Sequence, residues 1–115
     1  MTIDQVQNVV DNLNPEVASY ISVFAGRIAD AGVDPLPVMS ATVTMLKDYP
    51  NIELIWASPR ELFNVVQADS IGCHIITATN NILNKLPLLG KSLDDFSLET
   101  VKMFYDDALE AGYTL

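Results

Sequence analysis

The chain has 115 residues, half of them hydrophobic and 18% charged, which suits one domain with a modest core and excludes a disordered tail. Its formal net charge of −9 argues against nucleic acid or an anionic membrane as partner, since both need a basic face. No apolar run reaches the roughly 18 residues of a membrane span, the first residues lack a signal peptide's pattern, and the single cysteine, Cys73, cannot form an internal disulfide. A reducing, cytoplasmic setting is therefore expected.

Thr2 to Leu13 predicts an amphipathic helix. Thr2 and Gln5 have the spacing of a capping box, and Ile3, Val6, Val10 and Leu13 share one face. Asn14-Pro15 ends it. Tyr20 to Phe24 is β-branched and aromatic, a short buried strand with Ser22 and Phe24 on one side. Ala25-Gly26-Arg27 leaves the strand end, and a loop is expected through Asp30, Gly32, Asp34 and Pro37. Val38 to Lys47 reads as a helix, broken by Tyr49-Pro50-Asn51 before a second strand, Glu53 to Ala57. Trp56 alternates with Leu54 and Ser58 in that strand, which leaves core packing and pocket wall both open.

Ser58 is expected to cap a helix that Pro59 opens and that runs to Ala68. Arg60 then falls in the first turn, where the helix dipole disfavours a cation unless an anion lies between. Two readings fit. One is an N-cap followed by a surface arginine. The other is an oxyanion or phosphate site built from Arg60, the Ser58 hydroxyl and free backbone N–H groups. Arg27 and Arg60 are the only arginines in a chain with 15 acidic residues, and both follow an apolar, strand-like run.

Asp69 to Gly72 turns into a third strand, Cys73 to Thr77, followed by a short helix at about Thr79 to Leu86. Pro87 to Asp95 reads as a loop. Ser97 to Ala111 is a last amphipathic helix with Leu98, Val101, Phe104, Ala108 and Leu109 inward, and Gly112 is its stop signal. His74 is expected to be structural rather than a catalytic base, and Cys73 an inert buried thiol. Asp94, Asp95 and Glu99 suit the dipole at a helix start. No Cys/His ligand spacing, Gly-rich phosphate loop or Ser/His/Asp set is legible, and neither a metal nor a cofactor is expected.

The order is one helix, then three strand–helix units, with strand starts about 33 and 20 residues apart. Apolar strands separated by helices predict an α/β fold with a parallel sheet covered on its faces. Three strands make a thin sheet with two unpaired edges, the first sign of a part of something larger.

Three stretches together resemble the transaldolase family, including its fructose-6-phosphate aldolase branch. Ile21-Ser22-Val23-Phe24-Ala25-Gly26-Arg27-Ile28 is similar to the family's strand-six segment. Ala57-Ser58-Pro59-Arg60 resembles its strand-seven motif, Ala-Ser-x-Arg/Lys. Gly72-Cys73-His74-Ile75-Ile76-Thr77 with a short helix after it resembles strand eight. The resemblance covers nearly the whole chain, in the family's order. It implies the C-terminal part, about strands six to eight with their helices, of a TIM (β/α)8 barrel over residues 1–115. In such barrels the active site lies at the C-terminal ends of the strands.

By that resemblance Arg27 and Arg60 grip the phosphate of a sugar phosphate such as fructose 6-phosphate, Ser58 donates a further hydrogen bond, and Ser22 and Phe24 line the sugar pocket. The family works in pentose phosphate metabolism through a Schiff base on a strand-four lysine. Lys47, Lys85, Lys91 and Lys102 fall on helices, their ends or a loop, where nothing desolvates them. The chain is therefore expected to be inactive alone, acting by self-association or with a complementing N-terminal barrel chain. A non-catalytic sugar-phosphate-binding module and a self-associating structural fragment are the alternatives.

Overall fold

The computed structural model describes residues 1–112; residues 113–115, the end of the expected domain, lie outside the described residues. The chain divides into two compact units, Met1–Lys85 and Leu86–Leu115. The first holds α1 (Ile3–Asp11), β1 (Ser19–Val23), α2 (Ala25–Asp30), α3 (Leu36–Leu46), β2 (Ile52–Trp56), α4 (Phe63–Ser70), β3 (Ile75–Ile76) and α5 (Asn80–Leu83). The second holds a 3-10 turn, Leu86–Leu88, and α6 (Leu93–Glu110).

α1 starts on the expected capping box. Thr2 Oγ1 accepts from the Gln5 N–H at 3.3 Å, and Gln5 Oε1 accepts from the Thr2 N–H at 3.0 Å. Val6 and Val10 then bury one stripe. The three strands are parallel in the order β1-β2-β3, with Ile21 opposite Leu54, Val23 opposite Trp56, and Trp56 opposite Ile76.

β3 is shorter than the predicted Cys73 to Thr77, and side chains account for the difference. The Leu54 N–H donates to His74 Nδ1 at 2.9 Å, and Cys73 Sγ lies 3.5 Å from the Leu54 carbonyl oxygen. The Leu54 N–H is thus served by a side chain where a longer β3 would have supplied a rung, and the Cys73 thiol is shared between the Leu54 and Ile75 carbonyls.

Ile21, Val23, Leu54 and Trp56 face a core completed by Val6, Val10, Met39, Leu46 and Ala68. Trp56 is fully buried there, so it packs the core and walls no pocket; its Nε1 has no hydrogen-bond partner among the described residues. The opposite face of the sheet is open: Tyr20 is 62% exposed, Ser22 and Glu53 are exposed, and Ile55 is half-buried. A sheet covered on both faces was the expectation, and the topology explains the correction. Parallel strands in the order 1-2-3 are joined by crossovers, and because such crossovers are almost always right-handed the connecting helices fall on one side. α3 packs on β2, α4 on β3 and α1 on α3.

α2 replaces the loop expected after Gly26, with Ala25 and Ile28 pinned in the core and the Phe24 carbonyl accepting from Arg27 and Ile28 N–H groups. In the second unit, Ser92 Oγ caps α6 by accepting from the Asp95 N–H, which starts the helix before the predicted Ser97. No residue of α6 is buried: Leu98, Val101, Phe104 and Leu109, expected inward, are exposed, and Ala108 is half-buried. A 3-10 turn and a loop give the helix too little apolar surface within its own unit to cover that face. Among the described residues no helix is long and apolar enough to cross a membrane.

Candidate functional site

The C-terminal ends of β1 and β2 lie side by side, and backbone hydrogen bonds join the segments that leave them. The Ala57 N–H donates to the Val23 carbonyl at 2.9 Å, and the Gly26 N–H donates to the Ala57 carbonyl at 3.2 Å. Gly26 sits against the Ser58 backbone so closely that a Cβ there would lie 1.5 Å from the Ser58 carbonyl oxygen. Only glycine fits that approach. Arg27 follows it directly on α2, exposed.

Ser58 is not a helix cap. It takes φ 59°, the left-handed region, and α4 begins only at Phe63. A non-glycine residue held there costs about 1–3 kcal/mol and is kept by its surroundings. The close packing of Gly26 on the Ser58 carbonyl and the burial of Pro59 are what hold it here. The N–H groups expected to be free are also taken. Buried Asn64 accepts through Oδ1 from the Arg60 N–H at 2.7 Å and the Glu61 N–H at 3.0 Å, while its Nδ2 donates to Gln67 Oε1 at 3.0 Å. An anion at this strand end would meet side chains rather than those two backbone amides.

Arg60 projects from this turn to α2. Its Nε donates to Asp30 Oδ1 at 3.2 Å and a terminal nitrogen donates to Oδ2 at 2.6 Å. Hydrogen bonding to Arg60 holds the Asp30 carboxyl below its ordinary range; desolvation opposes it, and the charges of Arg60 and then Arg27 add lesser lowering effects. The same pair raises the Arg60 guanidinium.

Residues 22–30 and 57–60 thus form one cluster containing Arg27, Ser58 and Arg60. Ser22 opens onto the bare sheet face beside it, and Phe24, at the α2 N-cap, is 47% exposed. Sequence reasoning noted Asp30 close after Arg27 but gave it no role, and it missed Asn64 and the role of Gly26. Asp30 is three residues from Arg27, a helical spacing that would have suggested a role had α2 been read as a helix.

Cys73 and His74 lie toward the other ends of the strands. Burial pushes the Cys73 thiol up, partly offset by hydrogen bonds to backbone, so it stays protonated near neutral pH. His74 is exposed and spends Nδ1 on the Leu54 N–H, a structural role. A cavity of about 590 Å³ lies at the same end, lined by Ser40, Val43, Lys47, Asp69, Gly72 and His74, and it contains none of the predicted site residues. None of the four lysines stands on a strand. Among the described residues no three His, Cys, Asp or Glu side chains are placed to hold a metal ion.

The sequence model of the Transaldolase/Fructose-6-phosphate aldolase family matches residues 1–114. A "Probable transaldolase" of Thermoanaerobacter sp. is 34% identical over 96 residues, which are 83% of this chain and 42% of that protein. One from Nitrosopumilus maritimus is 33% identical over 84 residues, 69% of this chain and 38% of that protein. One from Clostridium kluyveri is 40% identical over 68 residues, 57% of this chain and 31% of that protein. The chain spans about two-fifths or less of the length of these relatives. With a family match running over nearly its whole length, the chain belongs to the Transaldolase/Fructose-6-phosphate aldolase family.

Proposed function

We propose that this chain carries the phosphate-binding side of a Schiff-base aldol-transfer site for sugar phosphates such as fructose 6-phosphate, in carbohydrate metabolism of the pentose phosphate type. The observation that supports the reading is that the segments carrying Arg27, Ser58 and Arg60 leave neighbouring strand ends and are joined through the backbone of Gly26. Guanidinium groups present forked donors that match phosphate oxygens, and the Ser58 hydroxyl adds one donor. Ser22 and Phe24, beside the open face, line the sugar.

In this reading β1, β2 and β3 are strands six to eight of a (β/α)8 barrel, and the open face of Tyr20, Ser22, Glu53 and Ile55 is the barrel interior. The nucleophile comes from elsewhere. A Schiff-base lysine needs desolvation or a neighbouring cation to lower its pKa. Lys47, Lys85 and Lys102 are exposed, and Lys91 is paired with Glu99. The chain therefore acts only within an assembly that supplies the lysine-bearing strands. The greater length of its relatives supports this. Self-association is the second reading, favoured by the open sheet face and the exposed apolar side chains of α6.

Titration of the purified chain with fructose 6-phosphate, with solution mass followed alongside, tests the assignment. Saturable binding is expected, with affinity falling about tenfold or more in Arg27→Ala and in Arg60→Ala as charge-assisted bonds are lost. Equal affinity in all three proteins removes the phosphate-site assignment.

A further inference from the structure

Arg60 meets Asp30 side-on, through Nε and one terminal nitrogen. That is a donor fork suited to two oxygens of one oxyanion, and a carboxylate of the chain itself already fills it. The same carboxylate feels the charge of Arg27, so it lies in the field of both arginines of a chain that has only two. Asp30 shares α2 with Arg27, so no second molecule has to be captured to place it there. The pair is also easily opened: the side chains are 49% and 52% exposed, and exposed ion pairs are weak and screened.

We propose that Asp30 is a specificity-determining residue, an internal occupant of the arginine fork that admits phosphate dianions and turns away carboxylates. This rests on the phosphate reading of Arg27 and Arg60. A sugar carboxylate carries one negative charge, as Asp30 does. It gains no charge advantage by displacing Asp30 and is repelled by it. A phosphate monoester carries about −1.5 to −2 near neutral pH and has three acceptor oxygens. It can engage Arg27 and the other terminal nitrogen of Arg60 before Asp30 leaves, and its greater charge then holds the fork.

The test is NMR of the arginine Nε–H signals in the full-length ¹⁵N-labelled chain, titrated with inorganic phosphate, fructose 6-phosphate and gluconate. In the wild type both phosphates are expected to shift the Arg60 signal while gluconate leaves it unmoved. Asp30→Asn, which keeps the size of an exposed side chain, is expected to bind phosphate about two- to fivefold tighter and to respond to gluconate. Asp30→Glu is expected to restore rejection of gluconate, a rescue that a merely structural role would not produce. Unchanged or weaker phosphate binding in Asp30→Asn, with gluconate still rejected, overturns the role of Asp30 and leaves the phosphate site standing. No response to either phosphate in any of the three proteins overturns the phosphate site and this role with it.

Discussion

Gly26 is the residue on which the site's geometry turns. Any side chain there must move the Ser58 carbonyl, which is backbone and cannot swing aside. Gly26→Ala is expected to cost about 3 kcal/mol in urea unfolding, at the upper end for overpacking, and to lower sugar-phosphate affinity by displacing Ser58 and Arg27 together. An unchanged unfolding midpoint would mean that the two strand ends are less tightly joined than described. Asp30 gives a pH signature. Hydrogen bonding to Arg60 holds its folded pKa below the ordinary carboxylate value, so the contribution of the pair is complete above the unfolded value and is lost as pH falls through the lower folded one. The Arg60 Nε–H signal is expected to change at lower pH than an ordinary carboxylate would dictate; a change at or above the ordinary carboxylate value would contradict the pairing. Arg27 and Arg60 were conspicuous in the sequence because arginine is scarce here and both copies follow strands. Asp30 was not, because its partner lies 30 positions away in the chain and only the fold brings them together.

At the scale of elements, local signals succeeded where the cause was local. The capping box of α1 works as its spacing predicts, since both partners lie within one turn. The start of α4 was misjudged because Ser-Pro is a strong cap signal, yet Ser58 is turned into the left-handed region and Asn64 collects the nearby N–H groups from inside the helix. Asn64→Ala leaves the Arg60 and Glu61 N–H groups without that acceptor and is expected to destabilise the chain by about 1–2 kcal/mol in denaturant titration. A neutral substitution would mean that solvent replaces the Asn64 carbonyl at no loss. α2 escaped notice because six residues containing a glycine make a weak helix by propensity, and burial of Ala25 and Ile28 holds it. β3 was overestimated because apolar β-branched residues predict a strand but not which groups its neighbour's amides will choose.

For the whole molecule, the proposed aldol-transfer reading requires a Schiff-base lysine on a strand, and none of the four lysines in this chain stands on one. Borohydride treatment with fructose 6-phosphate is expected to leave the isolated chain unmodified by mass spectrometry. A stable adduct on Lys85, for example, would overturn the view that the nucleophile comes from elsewhere. The alternation of apolar strands and helices, read by itself, determined an α/β chain with a parallel sheet, because periodicity and turn residues act within a few positions. The same text placed two arginines after strands and marked the family through three short motifs. Only the tertiary structure decided that one sheet face stays open, since that depends on the handedness of the crossovers. It alone decided that Trp56 belongs to the core and that Asp30 holds Arg60. Those outcomes depend on contacts between segments far apart in the chain, and such contacts leave no periodic trace in the sequence.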